Sequence, residues 1–151
     1  MKIELKPLTI KYLFKFAKAI KNPDVSGRLR YNLKGYLLKG LKEILTRKDS
    51  YKFAILANGQ FAGGIVLENP NKDKDSYEIG CFVAREYWNK GIATKATKKM
   101  LDFGFNKLKL NKIWAGVDIN NPASSRVLEK LGFKLRKTNK KEFILEKKRQ
   151  N

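Results

Sequence analysis

The stretch Tyr77–Thr97, YEIGCFVAREYWNKGIATKAT, decides how the rest of the chain is organised. Tyr77 to Ala84 has the composition of a strand, and the run from Ile92 to about Leu108 reads as a helix with Ala96, Met100, Phe103 and Leu108 near one face. Between them lies the turn Trp88-Asn89-Lys90-Gly91-Ile92-Ala93-Thr94. The first N–H groups of a helix lack intrahelical acceptors and sit at the positive end of its dipole, so a helix start is a ready anion site. Lys90 and Gly91 offer no strong side-chain cap, and a bound phosphate would supply the missing acceptor. Gly91 and Ala93 are small enough to let a ligand lie on the backbone. The glycines of a Rossmann fingerprint and the Gly-Lys-Ser/Thr of a Walker loop are absent. From these residues alone, an ordinary strand-to-helix turn fits equally well.

Working outward, Lys2 to Leu8 is a short strand candidate closed by Pro7. Ile10 to Ile20 places Leu13, Phe14, Ala17 and Ile20 on one helical face, and Asn22-Pro23-Asp24 breaks that helix. A longer helix follows, with Leu29, Leu33, Tyr36, Leu37, Leu41, Ile44 and Leu45 on one stripe. Tyr51 to Ala57 and Phe61 to Glu68 read as strands joined by the hairpin signal Asn58-Gly59, and residues 69–76 as a polar loop. Lys112 to Ile119 is expected to be a buried strand, Asn121 to Leu131 a short helix, and Lys134 to Glu146 a terminal hairpin. The order gives seven strands and four helices: one α/β (α+β) domain over residues 1–151, built on a mixed sheet.

Composition bounds the chemistry. The chain has 151 residues, no histidine and one cysteine, Cys81, so imidazole catalysis and the usual zinc ligand sets are excluded. A single cysteine leaves no intramolecular disulfide and points to a cytoplasmic location. No run of about 18 apolar residues is present to span a membrane, and the N-terminal residues lack the apolar core of a signal peptide. A net charge of +20 is compatible with RNA, a ribosome, acidic proteins or an anionic cofactor. It is equally compatible with a compositional bias, because the lysines are spread along the whole chain.

A second segment carries chemistry: Asn121 to Phe133, NPASSRVLEKLGF. Asn121 suits the N-cap, Pro122 the first helical position and Gly132 the left-handed stop. These roles need no function to explain them.

Taken together, the strand ending in FVA, the WNKGIAT turn, the following helix and strand, and the NPASSRVLEKLGF helix resemble the GCN5-related N-acetyltransferase (GNAT) family. Within it, the chain is most similar to the branch that acetylates ribosomal-protein N-termini. The resemblance covers nearly the whole chain and implies that family's fold, a mixed sheet of about seven strands flanked by about four helices. It also implies acetyl-coenzyme A as co-substrate, with its pyrophosphate on the amides of Asn89, Lys90, Gly91, Ile92, Ala93 and Thr94. Trp88 occupies the first position of the family's Gln/Arg-x-x-Gly-x-Gly/Ala pattern, which removes one polar side chain from that cradle. Phe82 and Val83 match the positions whose backbone pairs with the pantetheine arm, where an amide would polarise the thioester carbonyl. Asn121 matches an asparagine that contacts the same arm.

The tyrosine that serves many members as general acid is replaced by Leu128, and Ser124 matches a serine that a neighbouring branch uses instead. Ser124 is therefore either the thiolate's hydrogen-bond donor or a plain helix-cap serine. Glu78 is the positional candidate for general base, with a water relay as the alternative and Asp118 and Tyr87 as runners-up. Cys81 is expected to fill the core rather than form an acetyl-enzyme. The acceptor implied is an amine, in first place a protein N-terminal α-amine. Two rivals stand beside it: acetylation of a polyamine, if residues among Glu43, Asp49, Glu68, Asp73, Asp75 and Glu78 line the pocket, and a coenzyme-binding basic module for RNA or the ribosome. Monomer and homodimer are both compatible with this sequence.

Overall fold

The computed structural model describes residues 1–28 and 49–150. The long helix expected over Leu29 to Leu45, and Glu43 with it, lies outside the described residues. The sheet has seven strands in the order β1-β2-β3-β4-β5-β7-β6. These are β1 (Ile3–Pro7), β2 (Ser50–Ala57), β3 (Gln60–Glu68), β4 (Ser76–Val83), β5 (Lys112–Asp118), β6 (Lys134–Thr138) and β7 (Glu142–Lys148). Every neighbouring pair is antiparallel except β4–β5. That parallel pair needs a crossover helix, supplied by α3 (Ile92–Asp102). The other described α-helices are α1 (Ile10–Ile20), α2 (Pro23–Ser26) and α4 (Pro122–Lys130).

Strand alternation divides the sheet into two faces. Ile55, Ile65, Leu67, Ile79, Ile113, Ala115, Val117 and Leu145 point to one side, where Ile92, Ala96 and Met100 of α3 close over them as the main core. On the other side, Ala54 and Leu56 of β2 and Phe61 and Phe82 meet Tyr12, Phe16 and Ala19 of α1. The β2–β3 hairpin turns through Asn58 and Gly59, both at positive φ (48° and 79°), the backbone that matches the twist of paired strands.

Three expectations need correction. Phe14 is 80 % exposed, and Phe16 faces inward instead, edge-on to Phe82 at 4.8 Å between ring centres. The buried stripe of α1 is thus turned toward Tyr12 and Phe16, about one 100° step from the face expected. Asn22-Pro23-Asp24 does end α1, but it also starts α2: the Asn22 side chain accepts from the Asp24 amide, and Pro23 takes the first helical position. Finally, the crossover helix stops being α-helical at Asp102 and widens into a π-turn over Phe103–Lys107. Gly104 permits this close approach, since a Cβ there would stand 2.6 Å from Ile113 Cδ1.

Candidate active site

The site originates in the sheet itself. β4 and β5 pair over only three residues each, Ser76–Glu78 with Lys112–Trp114, and then diverge. The opening leads into a cavity of about 650 Å³. Its lining includes Glu78, Gly80 and Phe82 from the α1 face of β4, and Cys81, Thr94 and Thr97 from the α3 face. The cavity therefore passes through the sheet and is accessible to chemistry from both sides.

Ladder alternation determines which backbone groups meet this opening. The Ala84 amide bonds to the Ala62 carbonyl, so in the β3–β4 register Phe82, Gly80 and Glu78 direct their backbone groups toward β3. Cys81 and Val83 direct theirs toward the gap. Of the two residues expected to pair with a ligand, Val83 directs its backbone to the gap and Phe82 directs its own to β3, while both line the cavity. The Val83 carbonyl already accepts from the Trp88 indole Nε1 at 2.7 Å, which leaves the Val83 N–H facing the gap.

At the start of α3, Gly91 is left-handed (φ 69°) and makes no side-chain cap. The first intrahelical bond is from the Lys95 amide to the Gly91 carbonyl, and no acidic side chain lies in the first turn. The amides of Ile92, Ala93 and Thr94 thus open on the cavity that all three residues line. Space above Gly91 is clear, with no atom within 4 Å of an added Cβ. Lys90 behaves differently. Its ammonium donates to the Glu86 carbonyl at 2.9 Å and sits 5.4 Å from the Tyr87 ring, and the residue does not line the cavity.

α4 presents the opposite arrangement. Asn121 Oδ1 accepts from the Ser124 amide (3.3 Å), which fixes the amide group so that Nδ2 donates to Ser124 Oγ (3.0 Å). With its oxygen already accepting, the Ser124 hydroxyl hydrogen is left to donate elsewhere, and Ser124 lines the cavity. Leu128 is buried beside it.

Glu78 is only 6 % exposed, on β4 beside Trp114 of β5 and opposite Glu68 of β3, so the carboxylate put forward as base is a buried one. Glu68 lines the same cavity; Asp49, Asp73 and Asp75 do not. Asp118 also faces the cavity, but its Oδ1 accepts the Asn120 amide at 2.8 Å and so helps to form the β5–α4 turn. Tyr87 lines the wall. Burial pushes the Cys81 thiol up to about 12, with the smaller opposing effect of a Thr97 hydrogen bond. A thiol held in its protonated form is a poor nucleophile.

Arg28, Arg126 and Lys130 also line the cavity. Arg126 and Lys130 continue the α4 face begun by Ala123 at helical spacing, a signal present in the sequence. Arg28 stacks on Trp88, 60 positions away, and no local pattern announces that contact. Three open amides, a strand edge free to pair and cations at the rim are suited to an elongated, phosphate-bearing coenzyme.

Comparison with known proteins agrees with this architecture. Residues 3–134 match the family described as Acetyltransferase (GNAT) domain. YdaF of Bacillus subtilis, provisionally named a ribosomal N-acetyltransferase, is 34 % identical over 79 residues, 52 % of this chain and 43 % of that protein. Spermidine N(1)-acetyltransferase of Escherichia coli K12 is 32 % identical over 94 residues, 62 % of this chain and 50 % of that protein. The matched stretch spans about half the length of these curated relatives. The crystal structure of Campylobacter jejuni N-acetyltransferase PseH in complex with acetyl coenzyme A superposes with a TM-score of 0.76, covering 99 % of this chain and 100 % of that one at 18 % identity, a likeness of fold.

Proposed function

The chain belongs to the GNAT acetyltransferase family, and from that premise we propose that it transfers an acetyl group from acetyl-coenzyme A to a primary amine, with a protein N-terminal α-amine as the preferred acceptor. The observation that carries this reading is the cavity through the sheet: a buried carboxylate, Glu78, on the α1 face, and an uncapped helix start with a free hydroxyl donor, Ser124, on the α3 face. Such a passage lets an amine and a coenzyme meet from opposite sides.

Acetyl-coenzyme A supplies the activated acetyl thioester and the phosphates. The amides of Ile92, Ala93 and Thr94 hold the phosphates at the positive end of α3. The backbone edge of Cys81 and Val83 aligns the pantetheine arm, and the Val83 N–H, facing the gap, polarises the carbonyl under attack. Glu78, directly or through a water, accepts the proton that the amine must lose. An α-amine with a pKa near 7.7–8.0 needs far less help than a lysine near 10.4. Ser124 donates to the departing sulfur while Asn121 Nδ2 steadies its oxygen. Transfer is direct in this reading: Cys81, half-buried on the α3 face of β4, has its thiol pushed up and is a poor nucleophile.

A second reading has its own support. Glu68 and Glu78 are cross-strand partners and both line the cavity, so a cationic small molecule such as a polyamine would find two carboxylates there. Ribosome or RNA proximity is supported by β6, all of whose residues are exposed, including Lys134, Arg136 and Lys137. Turnover of acetyl-coenzyme A, followed by free thiol, with N-terminal peptides, lysine peptides and polyamines tests the acceptor. The α-amine peptides are expected to be turned over fastest; preference for polyamines would favour the second reading. Glu78→Gln is expected to lower kcat about 100-fold with coenzyme affinity unchanged. Full turnover in that variant would remove Glu78 from the mechanism.

A further inference from the structure

We propose that Arg28 is a phosphate ligand for the coenzyme, held at the cavity by the indole ring of Trp88. The α3 turn contains one cation of its own, Lys90, and that ammonium is engaged with the Glu86 carbonyl away from the cavity. The guanidinium of Arg28 takes the vacant place. Its carbon lies 4.0 Å from the centre of the Trp88 ring, and Arg28, Trp88, Asn89 and Gly91 border one cavity.

The ring is a fixed platform, since its N–H is tied to the Val83 carbonyl at the end of β4. A second guanidinium, that of Arg85, lies 4.6 Å from the same ring, but its Nε is paired with Asp24 Oδ2 at 3.1 Å and the residue does not line the cavity. Asp24, the carboxylate of α2, is therefore engaged with Arg85 rather than Arg28. A guanidinium held over a ring by cation–π attraction keeps N–H groups available to grip phosphate oxygens in pairs.

This inference rests on the coenzyme reading of the cavity, and the experiment separates the two. Equilibrium binding of coenzyme A, dephospho-coenzyme A, 4′-phosphopantetheine and pantetheine is measured for the wild type, Arg28→Ala, Arg28→Lys and, as a control of equal charge loss, Lys99→Ala. Arg28→Ala is expected to weaken coenzyme A about tenfold, and Lys99→Ala less than about twofold. Arg28→Lys should recover only part of the loss, because an ammonium lacks the planar fork. Pantetheine, without phosphate, should bind both proteins alike, and the weakest ligand for which the variants still differ identifies the phosphate held. In a Trp114→Phe background, where Trp88 is the remaining tryptophan, coenzyme A should change its emission, and with Arg28→Ala added the change should need about tenfold more coenzyme A. Equal coenzyme A affinity in wild type and Arg28→Ala overturns the role of Arg28, as does an equal loss for pantetheine. A wild type that binds none of the four overturns the coenzyme reading and this inference together.

Discussion

Helix α3 begins on Gly91, left-handed and without a side-chain cap, whereas α4 begins on Asn121, whose side chain accepts the Ser124 amide, and both helix starts line one cavity. Every helix start has the same deficit, N–H groups without acceptors. α4 meets it within its own sequence, using Asn121 and a proline at the first position. α3 leaves its amides to whatever anion enters. On the reading proposed for the α3 amides, the contrast separates a stability device from a binding device, although both consist of backbone N–H groups at the positive end of a dipole. It also shows how one cap can serve two ends: by bonding Ser124 through both its amide and its hydroxyl oxygen, Asn121 ties down the helix and frees a hydroxyl hydrogen to donate.

The strongest way to break this comparison is to give α3 a cap. Thr94→Asp places a carboxylate in the first turn, where it should weaken coenzyme A binding about 30-fold by like-charge repulsion. The same change should raise the Tm of the ligand-free protein by about 1–3 °C, measured by calorimetry, because the dipole welcomes it. Retained affinity together with a raised Tm would show that the α3 amides are not the phosphate site. Ser124→Ala comes next: kcat should fall about tenfold with coenzyme affinity held, the signature of a donor used only as the sulfur departs, and Tm should drop by a few degrees as Asn121 Nδ2 loses its acceptor. The smallest effect belongs to Asn121→Ala, which removes the α4 cap. A loss of about 1 kcal/mol and 2–4 °C of Tm is expected, with coenzyme affinity changed far less than in Thr94→Asp. A drop in affinity as large as in Thr94→Asp would erase the distinction between the two helices.

Most of the strand order was legible because alternating apolar residues and the Asn58-Gly59 turn are local signals. The uncapped start of α3 was legible too, since an absent capping residue can be read from a sequence. Local spacing failed where a neighbour decided the outcome. Phe14 is apolar and near the stripe of α1, yet Phe16 is the residue that meets Phe82 from β4. The Phe103–Lys107 widening depends on how closely Gly104 approaches Ile113 of the next strand. Within the site, Lys90 belongs to the turn but its long side chain folds back on the preceding 3₁₀ turn. Glu78 could be named from its place on the strand, but its burial between β3 on one side and β5 on the other follows only from the sheet order. Arg28 reaches Trp88 only through the tertiary fold.

The early parting of β4 from β5 has a consequence for exchange with solvent. The middle of a sheet is ordinarily its slowest-exchanging part, because each amide is locked by a neighbour on one side or the other. Here the fourth of seven strands behaves, from Ile79 onward, as though it were an outer strand on one side. The Cys81 and Val83 amides should trade hydrogen for deuterium at the pace of a rim, while Gly80 and Phe82, interleaved with them, keep the pace of a core. A coenzyme lying along that edge would act as a missing strand and slow both. The protein thus carries a built-in reporter of occupancy in its own backbone, two amides on the middle strand of its sheet.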